Sequence, residues 1–395
     1  MQYVKDFLKY VKDYSKYVDF TIIITYVLLS LIGLIMIYSA SMVNLYQNPN
    51  SGNPMALFNG QFRFVILGFL LVFFMTYFMS GEFFKNKRLH VILIAVIFIV
   101  LLITHFFGIE RNGERNWLQI PIINQELQPS EFFKIIVILY LAYIYDKKRE
   151  VVGTLRKENF FPLLLIGVIS LLVLFNDFGT WLVIFAIIVG MFVYSGLPMK
   201  IVLVVGGFVG LVISVILAGR FLISGEVVSG YQRARIETFM NPFLDPTGSG
   251  YQLTNSLISI SHGGLTGTGL GNGVMKLGYL PEPHTDFIFA VIAEELGLIG
   301  VLFILALYII LVFKALHYAS ISSDKFYSLV CIGIAMYISI QVFVNIGGIS
   351  KLIPLTGVPL PLLSQGGSAF LSISIAVGLL SIAAKHVKEG HKKVK

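Results

Sequence analysis

Long apolar runs recur along the whole chain, and each is long enough to cross a bilayer as a helix. Inside a bilayer no water is available to satisfy backbone N–H and C=O groups, so only helices or closed barrels can span it. Runs of about 20 apolar residues select helices. Such runs are expected to form helices near 20–39, 61–80, 89–107, 129–145, 160–176, 178–195, 200–222, 287–313, 326–346 and 366–384. Of the 395 residues, 56% are hydrophobic and 13% are charged, against about 25% charged in a soluble domain. The mean hydropathy of +0.84 agrees, and a water-soluble globular fold is excluded. The expected class is an all-α polytopic membrane protein, one membrane domain over 1–395.

Charge orients the spans. Lys and Arg accumulate on the cytoplasmic side of membrane proteins. Alternate segments starting from the N-terminus hold Lys5, Lys9, Lys12 and Lys16; Lys85, Lys87 and Arg88; Lys147, Lys148, Arg149, Arg156 and Lys157; Lys200; Lys314 and Lys325; and Lys385, Lys388, Lys392, Lys393 and Lys395. That is 20 of the 29 basic residues. Ten spans with both termini cytoplasmic satisfy the rule in every loop, giving a cytoplasmic N-terminus over 1–19 and a tail over 385–395. At "NDFG" the stretch 160–195 is expected to divide into two helices. Because the net charge of +8 is spread over these membrane-flanking loops, it is no nucleic-acid footprint. The single cysteine, Cys331, falls in an apolar run, which leaves no intrachain disulfide or cysteine-rich metal site and reads as core. The first apolar run is too long for a signal peptide core and follows 19 residues rich in charged and aromatic side chains.

The external side carries the long loops, over 108–128, 347–365 and, between the seventh and eighth spans, 223–286. Long loops are where function concentrates. The last ends in "YLPEPHTDFIFAVIAEELG", Tyr279 to Gly297, with Asp286 just before an apolar run and Glu294 and Glu295 one to two turns on. At about 100° per residue, Ala290, Ala293, Gly297 and Gly300 share a face with Asp286. That small-residue stripe lets another helix approach closely and puts Asp286 at the mouth of a tight interface, beside His284 and Glu282. Glu294 and Glu295 either carry function or pair with neighbouring cations to fix packing.

Four further stretches stand out. In "NGERNWLQIPIINQELQPSEFFK", Pro129 and Glu131 suit a helix start, and Lys134 lies on the same face as Glu131. They read either as a cap with an ion pair, or as Lys134 and Arg115 facing an anion. Arg233 and Arg235, in the long loop, suit loop packing, lipid headgroups or phosphate. "GGLTGTGLGNG", Gly263 to Gly273, imitates a nucleotide loop without its βαβ unit and reads as tight turns or close backbone approach. "LTGVPLPLLSQGGSAF" prevents regular helix, which beside a membrane is tolerated where it is buried or lines a cavity. Together these suit an enzyme acting on a lipid-linked anionic substrate, and equally a lipid transporter.

The motifs "YSAS", "QPSEFFK", "DFGT", "LPEPHTDFIFAVIAEELG" and "TGVPLPLLSQGGS" resemble those of the SEDS family (shape, elongation, division and sporulation) over nearly the whole chain, most closely its cell-division member, with the elongation member second. The resemblance implies ten membrane helices and peptidoglycan glycosyltransferase activity, polymerising lipid II at the outer membrane face of a bacterial cell, at the division septum. It implies Asp286 as the essential carboxylate, acting as general base, and Glu131 and Lys134 as the motif pair. Substrate contacts are expected from Lys134, Glu131, Arg115, Arg233, Arg235, His284, Glu282 and Ser364; no cofactor is certain, and a divalent cation, Mg or Mn, is the candidate. The implied partners are a class B penicillin-binding protein and other divisome membrane proteins. Lipid II transport without chemistry, or a scaffold that recruits the transpeptidase, are the rival roles. The sequence departs from the family pattern at Asn116, where an arginine is usual, at Asn176, usually proline, and at Gln365, usually tyrosine.

Overall fold

A computed structural model describes residues 12–47, 55–111, 114–120, 125–147, 157–196, 237–245 and 250–394, with scattered positions between 200 and 248. The long helices among them are α1 (Phe20–Gln47), α2 (Ala56–Phe78), α3 (Lys87–Phe107), α4 (Pro129–Lys147), α5 (Lys157–Asn176), α6 (Phe178–Ser195), α8 (Ile288–Ile321), α9 (Lys325–Ile349) and α10 (Gly367–Val394). A shorter helix, α7 (Tyr251–Gly263), lies within the long loop. Seven of the described helices are long and apolar enough to cross a membrane. The chain is therefore a multi-pass membrane protein. The expected span at 200–222 falls almost wholly outside the described residues.

Several element ends follow directly from the sequence. The division at "NDFG" is made by Asp177, whose carboxylate accepts from Thr180 N at 2.8 Å and from its hydroxyl at 2.6 Å, starting α6 one residue after α5 ends. Asn86 and Asp324 start α3 and α9 in the same way, accepting from Arg88 N and Phe326 N. Such side-chain acceptors satisfy donors that the first turn leaves unpaired.

The 108–128 loop corrects the all-α expectation. It contains a three-stranded antiparallel sheet, β1 (Ile109–Arg111), β2 (Glu114–Ile120) and β3 (Gln125–Leu127), in the order β1-β2-β3. Arg111 pairs with Glu114, and Leu118 with Leu127. The two residues between β1 and β2 are Asn112 and Gly113, the dipeptide that most favours a tight hairpin.

α9 stands at the centre, packed against α4, α6, α8 and α10. Its most apolar window is 67% buried and that of α10 78%, whereas α2 and α3 each bury 22%. The outer faces are apolar, with Phe62, Ile66, Leu70, Phe73 and Phe74 of α2 all exposed. Lipid matches such a surface and water does not. Cys331 is fully buried, as expected.

The two ends of the bundle differ. At one end Lys314 pairs with Asp19 at 2.8 Å, Lys85 with Asp324 at 2.7 Å, and Lys388 donates to Val18 O at 3.1 Å. α9 starts there and, at about 1.5 Å per residue, carries the chain to the opposite end. There its last turn meets the Asp286 segment.

Candidate functional site

Asp286 lies in a turn immediately before α8, half-buried, where the unpaired N–H groups of a helix start favour negative charge. Three successive carbonyls of this turn are held from outside. Gln365 N donates to His284 O at 2.9 Å, Ser364 Oγ to Thr285 O at 2.6 Å, and Asn345 Nδ2 to Asp286 O at 2.9 Å. The bracing residues are themselves braced. Ser364 Oγ accepts from Leu360 N, and Asn345 Nδ2 also donates to Val358 O at 2.8 Å. Within the turn, Thr285 N donates to Glu282 O, and Glu282 itself has a left-handed φ of 48°. His284 Nε2 lies 3.2 Å from the exposed Glu282 carboxylate. The irregular "TGVPLPLLSQGG" segment thus serves as a brace for the Asp286 turn, its backbone buried against protein as anticipated.

A second polar group is deeper in the bundle. Glu131 and Lys134 are fully buried and 2.8 Å apart. The Lys134 ammonium also donates to Gln341 Oε1 at 2.9 Å and lies 4.7 Å from the centre of the Tyr337 ring. Tyr337 OH and Ser372 Oγ donate to the Glu131 carboxylate and main-chain carbonyl respectively. Gln341 Nε2 then donates to Pro359 O at 3.0 Å. Since Asn345 follows Gln341 by one helical turn, α9 joins the Glu131–Lys134 pair to the Asp286 turn through the 358–359 backbone. Neither Gln341 nor Asn345 was singled out from sequence. Their signal was present in "ISIQVFVNIGG", two amides four residues apart in an otherwise apolar span.

Glu294 and Glu295 are also fully buried. Most of their partners come from the segment before the turn, and one, Ser39, from α1. Glu295 pairs with the buried Lys276 at 2.6 Å and accepts from Ser39 Oγ and Gly271 N. Glu294 accepts from His262 Nδ1 at 2.9 Å, Ser259 Oγ at 3.2 Å and Val274 N at 2.8 Å. The glycine-rich stretch makes its close approach to α8 itself. α8 is interrupted at Gly297 (φ 64°, ψ −171°). The carbonyls of Glu294 and Glu295 accept from Thr268 N and Gly269 N, and Leu298 N and Ile299 N donate to Gly264 O and Leu265 O. The expected small-residue stripe therefore does not run on through Gly297 to Gly300 as one helix. α7 and the glycine strap fill it, with Ser259 Oγ donating to Ala290 O at 3.0 Å. Lys276 and Ser39 were not assigned a role from sequence. A lone lysine between glycines in an apolar stretch was the available clue.

The remaining predicted residues are dispersed. Arg115, on β2, is exposed and pairs with Glu110 at 3.0 Å. It does not join Lys134, whose ammonium is enclosed by Glu131, Gln341 and Tyr337. Asn116, at the departure from the family motif, is buried. Arg233 and Arg235 lie outside the described residues. Among the described residues no group of three or more His, Cys, Asp and Glu gathers that could hold a metal ion. A cavity of about 350 Å³ is at the basic end, lined by Tyr14, Tyr77, Tyr327, Lys385 and His386, far from Asp286.

The FtsW/RodA/SpoVE family model, described as a cell cycle protein, matches residues 19–389. A protein of Enterococcus hirae named "Probable peptidoglycan glycosyltransferase FtsW" is 36% identical over 386 residues, 95% of each chain. Stage V sporulation protein E of Bacillus subtilis is 35% identical over 371 residues, 92% of this chain and 95% of its own. A solved structure described as a peptidoglycan synthase complex coordinating polymerization and crosslinking aligns with a TM-score of 0.72 at 25% identity, covering 94% of this chain and 98% of that one. The RodA protein of Thermus thermophilus aligns at 0.64 and 23% identity over 93% of this chain and 96% of its own, a likeness of fold alone.

Proposed function

Because the chain belongs to the SEDS family of FtsW, RodA and SpoVE proteins, we propose that it polymerises lipid II into glycan strands, with the Asp286 turn as the catalytic centre. It is a peptidoglycan glycosyltransferase, and the FtsW names of its relatives fit a role in cell division. The observation that supports the site is the triple brace on the carbonyls of His284, Thr285 and Asp286. A catalytic base must be held within a fraction of an ångström of its proton, and three external hydrogen bonds to successive carbonyls hold this turn so.

The chemistry follows from the reactants. A hydroxyl of one glycan attacks the anomeric carbon of another whose leaving group is a lipid pyrophosphate. The new C–O bond forms as the bond to pyrophosphate breaks, and the configuration inverts. The Asp286 carboxylate takes the hydroxyl proton, a role worth roughly 10²- to 10⁴-fold. The pyrophosphate leaves with added negative charge, for which Arg233 and Arg235 of the long loop are the proposed partners. A divalent cation such as Mg or Mn, oxygen-seeking, would be held chiefly by the pyrophosphate oxygens with Glu282 at the rim, since no described cluster could hold it alone, and would supply charge neutralisation. Lys134, enclosed with Glu131, is proposed to act through Gln341 on the brace and not by touching substrate. The lipid tails would lie between helices, which accounts for a polymerase embedded in a membrane. The partner is proposed to be a class B penicillin-binding protein, in keeping with the polymerization and crosslinking complex that the fold resembles. The proposed location is the division septum, with other divisome membrane proteins.

The test is product formation without compartments. Detergent-solubilised protein given labelled lipid II, with and without the transpeptidase partner, is expected to yield long glycan strands on a gel. Lipid II left unpolymerised in both conditions would turn the reading toward transport or a scaffold.

A further inference from the structure

The cavity of about 350 Å³ at the basic end plays no part in the chemistry above. It is of ligand size, about 300–1,000 Å³ being usual. α2 ends beside it at Phe78, and the chain turns through Met79 and Ser80 into a short 3-10 helix, Gly81–Lys85. The start of α9 supplies Tyr327 to the wall, and the far end of α10 supplies Lys385, His386 and Glu389. The turn meets α9 closely because residue 81 is glycine; a Cβ there would overlap the Tyr327 hydroxyl. The charges around this cavity fall into two groups. Glu82 is spent on Lys85 at 2.9 Å, and Asp324, 3.9 Å from His386 Nε2, is spent on Lys85 at 2.7 Å. Lys385 and Glu389 are not spent. Lys385 Nζ makes one long hydrogen bond, to Thr76 O at 3.4 Å, and lies 4.2 Å from the centre of the Tyr14 ring. Two of its three N–H donors therefore have no protein partner among the described residues. Glu389 has neither a hydrogen bond nor an ion pair among them. The two residues stand one turn apart on α10 and line the same cavity, yet they do not pair. An i,i+4 pair with lysine first is the weaker order and would stabilise little, so a ligand that separates them displaces nothing of consequence.

We infer that this cavity binds the headgroup of an inner-leaflet phospholipid that carries both a phosphate and an ammonium group, with the phosphate at Lys385 and the ammonium at Glu389. The signs of the two unspent groups decide the ligand class. A plain anion meets Lys385 but is repelled by Glu389, and a plain cation meets the reverse. A zwitterion answers both. His386, its ring stacked on Tyr327 at 4.2 Å, adds a second donor for the phosphate oxygens on the same turn of α10 as Lys385. Position selects a lipid over a soluble molecule of the same chemistry. The positive-inside rule assigns the basic end to the cytoplasm, and tyrosines such as those lining this cavity favour the headgroup level. Basic pockets between helices on that side are where lipid headgroups are recognised. An apolar path also leads away from the cavity. Phe78, on its wall, and Phe74, one turn back along α2, are both exposed, with their rings stacked 5.6 Å apart. Acyl chains laid against that strip would leave the headgroup at the cavity mouth.

The experiment separates the headgroup charges from each other and from the tails. Full-length protein in detergent is titrated with three probes, and bound ligand is counted by native mass spectrometry. Short-chain phosphatidylethanolamine has both charges. Phosphatidylglycerol with the same tails has the phosphate without the ammonium. Glycerophosphoethanolamine has the headgroup without the tails. Wild type is expected to bind phosphatidylethanolamine about tenfold more tightly than phosphatidylglycerol, the worth of one charge-assisted hydrogen bond, and more tightly than glycerophosphoethanolamine. Lys385→Gln is expected to weaken both lipids by about tenfold, and Lys385→Arg, which keeps the cation, to weaken neither. Glu389→Gln is expected to weaken phosphatidylethanolamine alone. A general loss of fold lowers both lipids together and so cannot imitate that selective loss. Equal binding of the two lipids by wild type, or equal losses in Glu389→Gln, overturns the inference. Wild-type affinity in Lys385→Gln overturns it as well. Glycerophosphoethanolamine bound as tightly as the intact lipid overturns the membrane source.

Discussion

At the scale of single residues, the chain tolerates full charges in its interior only where each is met at close range. Glu131 and Lys134 illustrate this. With both side chains at 0% exposure, removing one leaves the other buried and unpaired, at a cost of about 3–5 kcal/mol. Lys134→Met is therefore expected to lower the thermal midpoint sharply, and Lys134→Met with Glu131→Leu to recover much of it, because a buried ion pair replaced by apolar groups is often neutral. Equal midpoints for the single and double variants would show that the pair is not coupled. Activity should stay low in both, since the link through Gln341 to Pro359 is cut either way. The motif carrying this pair was readable in "QPSEFFK". Its depth was not, because i,i+3 spacing reports that two side chains share a face and says nothing of what covers that face. Asp286 was readable for the opposite reason. A carboxylate between prolines and an apolar run has few places to go except the rim of a membrane bundle.

At the scale of elements, α8 is the instructive case. Apolarity and length predict one helix through 287–313, and the small residues predict a helical neighbour against it. The structure instead breaks α8 at Gly297 and feeds the glycine strap into the gap, so that backbone groups freed by the break are paired by 264–269. Periodicity is blind to this arrangement because a single left-handed residue leaves the apolar run intact. Gly297→Ala is expected to destabilise the protein by at least about 1–3 kcal/mol, the cost of a side chain at positive φ with ψ near 180°, and by more once its Cβ meets the Gly267 and Leu265 backbone. A thermal midpoint equal to wild type would contradict the strap's role. The sheet of 109–127 was missed on different grounds. Its strands are only three to seven residues long, too short for an alternating pattern to stand out beside the long apolar runs, and the Asn-Gly dipeptide is the one local cue.

At the scale of the whole molecule, the arrangement has a polar, braced end carrying Asp286 and a basic end where helices are tied together by ion pairs. Asp19, just before α1, shows what holds the basic end. Burial pushes its carboxyl up, but hydrogen bonds from Lys314 and Tyr318 and the charges of Lys388 and Lys314 outweigh burial and hold it at about 2. A carboxylate depressed in the folded state stabilises fully above its ordinary value near 3.8 and loses that contribution as pH falls through 2. Asp19→Asn is accordingly expected to be less stable than wild type at neutral pH, with the gap closing between pH 4 and 2 in a detergent melt. A gap independent of pH would contradict the ion-pair account. The membrane class and the distribution of basic residues were legible from composition alone; the ties between distant segments were not, since Asp19 and Lys314 are brought together only by packing of α1 on α8. The central claim is that one braced carboxylate removes the proton that couples two sugars, and its most direct test is to incubate purified Asp286→Asn protein and its transpeptidase partner with labelled lipid II beside wild type. The account predicts expression and partner binding equal to wild type with no glycan strands, and strand synthesis at the wild-type rate would contradict it.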